Sequence, residues 1–100
     1  MIQKARSRNG VQIRLADERW VHITEEHSEL AGMREDVLEA LANADRVLEG
    51  SAGELLAVKR IAQRRSVIVV YREVAADGFV ITAFITSKTR RLSKRRQLRP

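Results

Sequence analysis

Apolar residues recur with two different spacings along the chain, and the two spacings predict different elements. Val11, Ile13 and Leu15 alternate with polar residues, which predicts a half-buried strand. In residues 34–43 the apolar positions are three and four apart, as on one face of a helix. A shorter helix is predicted over residues 18–26, directly after the first strand. The first half of the chain is therefore expected to carry two helices.

After residue 54 the apolar spacing changes to a period near two. Residues 55–61, 66–74 and 79–86 are rich in Val, Ile and Thr and predict three strands, with a short strand before them at residues 46–49. The sequence Ala-Asp-Gly at residues 76–78 predicts a tight hairpin turn. Helices followed by an antiparallel meander predict an α+β domain, with two N-terminal helices packed on an antiparallel sheet of about four strands.

Composition limits the class of protein. A chain of 100 residues with 44% hydrophobic content is the size of one folded domain. It contains no cysteine, which excludes disulfides and thiolate metal sites and fits a reducing compartment. The apolar run at residues 67–70 is too short to span a bilayer, and the first ten residues lack the apolar stretch of a secretory signal. We therefore expect a cytoplasmic protein with no membrane partner and no cofactor.

Positive charge is concentrated at the C-terminal end. The net charge is +6, and seven of the 19 Lys and Arg residues lie within residues 88–100, where there is no acid. The other 12 nearly balance the 13 acids, so we expect a domain over residues 1–87 and a basic tail over residues 88–100. Such clustering is typical of nucleic-acid binding, and a solvated tail that aids solubility is the alternative. The candidate phosphate-binding residues of this segment are Lys88, Arg90, Arg91, Lys94, Arg95 and Arg96.

Both histidines of the chain, His22 and His27, lie within one short segment. Imidazole exchanges protons near neutral pH, so this segment is a candidate acid/base site. Five positions on an ideal helix differ by about 140°, so the two side chains converge only if the helix ends near Glu25 or Glu26. These glutamates and Glu29 either orient a histidine or are solvated charges. The alternatives are a surface role for His22 and a role for His27 in fastening the helix end.

The order of the motifs resembles a group of small nucleases. Trp20-Val-His22-Ile23 is followed by His27-Ser-Glu-Leu30, Val67-Ile-Val-Val70 and Gly78-Phe-Val-Ile-Thr82-Ala-Phe84. Over residues 11–88 this set resembles the phage-associated branch of the barnase, EndoU, colicin and RelE-like nucleases. The resemblance implies two helices on an antiparallel sheet of about four strands, and metal-independent RNA cleavage.

The resemblance also implies the catalytic residues. The histidine motif carries over to His22 and His27, the polar position of the last strand to Thr82, and the basic position of an earlier strand to Lys59 or Arg60. Metal-independent RNA cleavage needs a base for the 2′-hydroxyl, an acid for the leaving oxygen and cations for the phosphorane. The histidines would be base and acid in either order. Two histidines without cysteine do not make a dedicated metal site.

Two further residues complete the predicted site. Tyr71 would bind a phosphate oxygen through its hydroxyl, and Lys88 would supply a cation; Tyr71 alternatively ends a core strand with its hydroxyl at the surface. Together with these residues, the resemblance implies a toxin-like or phage-derived endoribonuclease that acts on RNA and is controlled by a neutralising antitoxin or immunity protein. The alternatives are a non-catalytic RNA-binding or partner-binding module with the same fold, and a structural phage accessory domain. Placement of both histidines in one cleft would favour the enzyme.

Overall fold

In the computed structural model, which describes residues 2–92 and 95–99, seven strands form one mixed sheet and two α-helices pack against one of its faces. The strands are ordered β1-β2-β6-β5-β4-β3-β7 across the sheet. Short 3₁₀ helices follow the first α-helix and the sixth strand. In chain order the elements are β1 (Ile2–Arg6), β2 (Gln12–Ala16), α1 (Asp17–Glu26), a 3₁₀ helix (Ser28–Leu30), α2 (Arg34–Ala42), β3 (Arg46–Glu49), β4 (Leu55–Ala62), β5 (Arg65–Val74), β6 (Asp77–Thr86), a second 3₁₀ helix (Thr89–Leu92) and β7 (Gln97–Arg99).

The prediction of two N-terminal helices on an antiparallel sheet of about four strands is wrong. Two strands precede the helices, and β2 pairs in parallel with β6 through Gln12–Asp77, Ile13–Gly78 and Arg14–Phe79. The missed strands β1 and β7 lie at the two edges of the sheet. Edge strands expose polar residues and carry little of the apolar alternation that identifies a strand in a sequence. The parallel pairing joins residues more than 60 positions apart, so no local pattern encodes it.

The central meander and both helices are confirmed. Strands β4, β5 and β6 pair antiparallel, and the two α-helices match the predicted ones to within a residue at each end. The turn between β5 and β6 lies at Ala75 and Ala76, so it begins one residue earlier and ends two residues earlier than predicted, and Ala75 has a φ of +54°. Asp77 and Gly78 instead begin β6, and Gly78 lies close to the Arg72 backbone of β5 and to the Ile13 side chain of β2.

Apolar residues cover both faces of the central strands. Val67, Ile68 and Val69 are completely buried in β5, as expected for a central strand that is covered on both faces. The helices close the larger cluster, and the 3₁₀ helix at Thr89–Leu92 brings Leu92 to a smaller cluster on the opposite face. The larger cluster includes Ile13, Leu15, Ile23, Leu30, Val37, Leu41, Val67, Val69, Tyr71, Val80 and Ala83, and the smaller one Leu48, Leu56, Val58, Ile68 and Leu92.

Helix α1 is held beside β6 because it continues directly from β2. Its Ile23 is buried in the larger cluster, and Trp20 packs against the same cluster. Arg34, at the start of α2, binds both neighbouring elements: its guanidinium lies 2.8 Å from the Asp17 carboxylate and donates to the Leu15 carbonyl at 2.9 Å. Because β2 pairs with β6 only as far as Phe79, α1 faces the rest of β6 and a cleft remains between them.

The basic C-terminal segment returns to the sheet. Strand β7 pairs antiparallel with β3, and the backbone N–H of Glu49 donates to the Arg96 carbonyl at 2.8 Å. Leu92 is buried in the smaller cluster. Most of the described part of this segment is therefore part of the folded domain. None of the described helices combines the length and the apolar character that crossing a membrane requires.

Candidate active site

Both histidines line one cleft between α1 and β6. Helix α1 ends at Glu26, and His27 follows it in a non-helical conformation with φ −129° and ψ 72°. The helix therefore ends where the convergence of the two imidazoles requires it to end. The cleft has a volume of about 310 Å³, and its polar lining consists of Arg19, His22, Glu26, His27 and Thr82. Three of the five predicted catalytic residues thus share one cavity.

A bulge in β6 lets Thr82 line this cleft. Tyr71 pairs with Val80 and Val70 pairs with Thr82, so Ile81 has no partner residue on β5. In a regular strand Val80 and Thr82 would lie on the same face. The extra residue instead lets Val80 stay buried in the core while Thr82 lies on the other side, at the cleft. A bulge is not visible in the apolar spacing of the sequence.

His27 has neighbours on two sides. Its ring centroid lies 5.9 Å from that of Phe84, with the planes tilted by 38°. Its Nδ1 atom lies 3.8 Å from a carboxylate oxygen of Glu29, too far for a hydrogen bond, and the two form an ion pair only when the imidazole is protonated. Glu29 is thus the glutamate that approaches His27, whereas Glu26 lines the cleft. These contacts suit both predicted roles of His27, the catalytic one and the fastening of the helix end.

A second depression adjoins the first and shares Arg19 and His22 with it. It has a volume of about 370 Å³, and Arg14 and Phe79 contribute to its lining. Arg14 lies 3.2 Å from the Asp77 carboxylate. Arg19 makes no ion pair with any residue in the part of the chain that the structure describes. His22 therefore lies at the junction of two cavities, beside a guanidinium that is available to an anion.

Sequence reasoning missed Arg19, Arg14 and Phe79. Arg19 precedes His22 by three positions, which places both on one helix face, so helical spacing was a usable signal. Arg14 and Phe79 pair across the parallel junction of β2 and β6, which no pattern in the sequence predicts.

Lys59 and Arg60 do not line the cleft with the histidines. They lie on β4, which β5 separates from β6. Both are engaged by Asp45: the backbone N–H of Arg60 donates to its carboxylate at 2.8 Å, and the Lys59 ammonium lies 3.4 Å from the same carboxylate. The hydrogen bond from Arg60, helped by the charge of Lys59, lowers the pKa of the Asp45 carboxyl below its ordinary value. Asp45, just before β3, therefore holds the Lys59 ammonium and the Arg60 backbone, whereas the Arg60 guanidinium donates to the Ala62 carbonyl at 3.3 Å.

The Asp45 contact predicts a pH-dependent stability. A carboxyl whose pKa is lowered by folding stabilises the folded state above its unfolded-state pKa, and this contribution disappears as the pH falls through the folded-state pKa. Asp45→Ala should therefore lower the free energy of unfolding by about 1 kcal/mol at neutral pH, and by less in acid. Denaturant unfolding of both proteins at neutral pH and below the carboxyl range measures the difference. A difference that stays constant across this range would contradict the assignment.

The predicted substrate-binding residues lie in several places. Tyr71 is completely buried in the larger cluster, because its strand is central, and its side chain presents no surface to a substrate. Lys88 and Arg95 line a depression that also includes Phe84, the residue whose ring lies against His27. Arg96 is exposed and its carbonyl accepts from Glu49. Lys94 and the side chains of Arg90 and Arg91 lie outside what the structure describes.

The cleft thus offers two imidazoles, a hydroxyl, a guanidinium and the Glu26 carboxylate. The imidazoles can move protons, and the guanidinium can bind an anion. Within residues 2–92 and 95–99, no three His, Asp or Glu side chains are grouped closely enough to hold a metal ion. Comparison with protein-family models, with curated proteins and with solved structures gives no match for this chain.

Proposed function

We propose that the protein is a metal-independent endoribonuclease, toxin-like or phage-derived, of the nuclease group that its motifs resemble. The observation that carries the proposal is the shared cleft of His22 and His27, with Thr82 beside them. Two groups that exchange protons near neutral pH, placed around one cavity, are what general acid/base cleavage of RNA requires. Arg19 adds the positive charge that a phosphodiester needs.

The chemistry is a transphosphorylation. One imidazole, in its neutral form, takes the proton from the 2′-hydroxyl, and the 2′-oxygen attacks the adjacent phosphorus. The other imidazole, in its protonated form, gives its proton to the 5′-oxygen as the bond from phosphorus to that oxygen breaks. The products are a 2′,3′-cyclic phosphate and a free 5′-hydroxyl. The Arg19 guanidinium and the Thr82 hydroxyl, which both line the cleft, would bind the non-bridging oxygens as negative charge builds on them.

The same proposal includes the partners and the compartment. The net charge of +6 and the basic residues near the cleft suit RNA as the substrate. We expect a cytoplasmic protein, since RNA is available there. A cell that makes an active endoribonuclease needs to silence it, and we expect a neutralising antitoxin or immunity protein.

Cleavage of RNA in excess chelator tests the proposal. Purified protein is incubated with a labelled oligoribonucleotide, and the product ends are identified. The expected result is cleavage that survives the chelator and leaves 2′,3′-cyclic phosphate ends. A substrate with 2′-deoxyribose at the cleaved nucleotide should remain intact, since it lacks the nucleophile. Cleavage of that substrate, or activity only with a divalent cation, would overturn the mechanism.

A non-catalytic RNA-binding module is the second candidate. The contact between His27 and Phe84, with Glu29 nearby, is also the contact that a purely structural histidine would make. Binding of RNA without any cleavage in the same experiment would favour this candidate.

The basic residues beyond Phe84 should make RNA binding depend on salt. Deletion of the whole segment would also remove Leu92 and β7 from the fold, so charge substitutions are the sharper test. The double variant Lys88→Gln/Arg95→Gln should reduce the slope of log affinity against log salt by about 0.7 for each phosphate that the variant no longer neutralises. The double variant Arg64→Gln/Arg65→Gln, at the exposed β4–β5 turn, removes the same charge and is the control. Equal slopes for both double variants would contradict the prediction.

A further inference from the structure

Two aromatic rings lie on either side of the histidine cleft. Phe79 is 39% exposed and lines the depression that contains Arg14 and His22. Phe84 lies against His27 and lines the depression beyond it. The chain has only two phenylalanines, and both lie here. An exposed phenylalanine at a cavity that also holds charged groups suggests a ligand with both an apolar face and a negative charge.

Both rings lie on one face of the sheet, with Thr82 between them. Their partner residues on β5 are Arg72 for Phe79 and Ile68 for Phe84, and Thr82 pairs with Val70. These partners are two positions apart along β5, so their side chains lie on the same face of the sheet. The three β6 residues therefore share that face, which carries the smaller hydrophobic cluster. The rings and the cleft thus form a single track along β6.

Positive charge accompanies both rings. At the Phe79 end the depression contains Arg19, one acid, Glu18, and Arg14, which is paired with an aspartate of β6. The depression at the Phe84 end contains Lys88 and Arg95. Aromatic side chains next to a basic groove are the combination that binds single-stranded nucleic acid, because bases stack on the rings while cations bind the backbone.

The two rings are too far apart to hold two bases that are stacked on each other. Phe84 follows Phe79 by five positions along the bulged strand, and their β5 partners are four positions apart. At about 3.3 Å per residue the rings are therefore roughly 13–17 Å apart along the sheet. Adjacent stacked bases rise by only about 3.4 Å. A base on each ring therefore requires that two neighbouring nucleotides be splayed apart, with the phosphate that joins them at the histidine cleft. A duplex keeps its bases paired and stacked, and cannot offer them to either ring.

We infer that the substrate is single-stranded RNA, and that the bases on the two sides of the scissile phosphate stack on Phe79 and Phe84. This inference rests on the proposed function for the identity of the reaction. It adds the substrate class and two residues that position the strand. Every base has a flat aromatic face that can stack on a ring, whatever its identity. The two rings would therefore select an unpaired strand and not a particular nucleotide sequence.

Binding of an uncleavable strand tests the inference separately from catalysis. Fluorescence anisotropy measures the affinity for a 2′-O-methyl oligoribonucleotide, single-stranded or annealed to its complement. We expect the single strand to bind at least about tenfold more tightly than the duplex. Phe79→Leu and Phe84→Leu should each weaken single-strand binding by about 5- to 150-fold, the change that corresponds to about 1–3 kcal/mol for a base stacked on a ring. Phe79→Tyr keeps a ring and should retain the affinity.

Ile61→Ala is the matched control, because Ile61 is 38% exposed and lies on β4, away from the track. If Phe84→Leu fails to fold, the more exposed Phe79→Leu decides the test. Unchanged single-strand affinity in Phe79→Leu, or equal affinity for the duplex, would overturn the inference even if the protein cleaves RNA. Ring-dependent binding of the single strand by a protein that does not cleave RNA would instead support the inference and overturn the proposed reaction.

Discussion

Replacing His22 with alanine should lower the rate of RNA cleavage by about 10²–10⁴-fold, the usual effect of removing a positioned acid or base. His27→Ala should lower the rate by a similar factor. His22 is exposed on α1, so its replacement should leave the unfolding midpoint unchanged, whereas removing the His27 ring that packs against Phe84 should lower it slightly. Initial rates at saturating RNA, together with thermal unfolding of each variant, provide the measurement.

Glu25→Ala is the matched control for these variants. Glu25 is exposed on the same helix and does not line either depression that contains His22. Its replacement should leave the rate within about twofold of the original. The wild-type rate should show a bell-shaped dependence on pH, because one imidazole must be neutral and the other protonated. Full activity in the double variant His22→Ala/His27→Ala would reject the histidine mechanism.

Gly78→Ala should lower the free energy of unfolding by about 3 kcal/mol, at the upper end of what overpacking usually costs. Gly78 pairs with Glu73 on one side and with Ile13 on the other, so three strands meet at this residue. A Cβ atom there would lie 2.3 Å from the Arg72 carbonyl oxygen and 2.6 Å from Cδ1 of Ile13. The backbone oxygen cannot rotate away, so β5 and β6 would have to separate locally.

Gly50→Ala is the control for the glycine prediction. The three atoms nearest to a Cβ atom at Gly50 all belong to the side chain of Glu54, which can move aside at the cost of the hydrogen bond that it accepts from the Ala52 N–H. Its cost should therefore be well below that of Gly78→Ala in denaturant unfolding of the two variants. Equal destabilisation by both substitutions would show that the close approach of the neighbouring strands is not the reason why Gly78→Ala lowers the stability.

The elements that depend on local pattern were predictable. Helix α2 and strands β4, β5 and β6 could be predicted because the spacing of their apolar residues is visible in the sequence. Helix α1 ends at Glu26, which is where it had to end for the two histidines to converge. The remaining architecture depends on contacts between distant residues. Strand β1 is an exposed edge, β7 has only three residues, and the parallel register of β2 and β6 leaves no mark in the spacing of either strand.

The candidate site divides in the same way. His22 and His27 stood out because imidazole is rare in this chain and chemically distinctive. Phe79 and Arg14 could not be recognised, because only the register of two distant strands brings them together. Lys59 came from the resemblance alone, and the structure shows it beside Asp45 instead.

The short parallel junction of β2 and β6 also has a dynamic consequence. It comprises three residue pairs, while the turn before β2 is tied to β5 through Glu73, whose carboxylate accepts from Ser7 at 2.5 Å and from Asn9 at 2.9 Å. Fluctuations of the β1–β2–α1 unit should therefore pivot near that turn and grow toward α1, where amide hydrogens would exchange sooner than those of β5. Because His22 is on α1 and Thr82 is on β6, such fluctuations would change the distance between them. The width of the cleft would then change with the same fluctuations. An RNA strand would be able to enter the widened cleft from the side, at any point along its length, and would not have to pass in from one end.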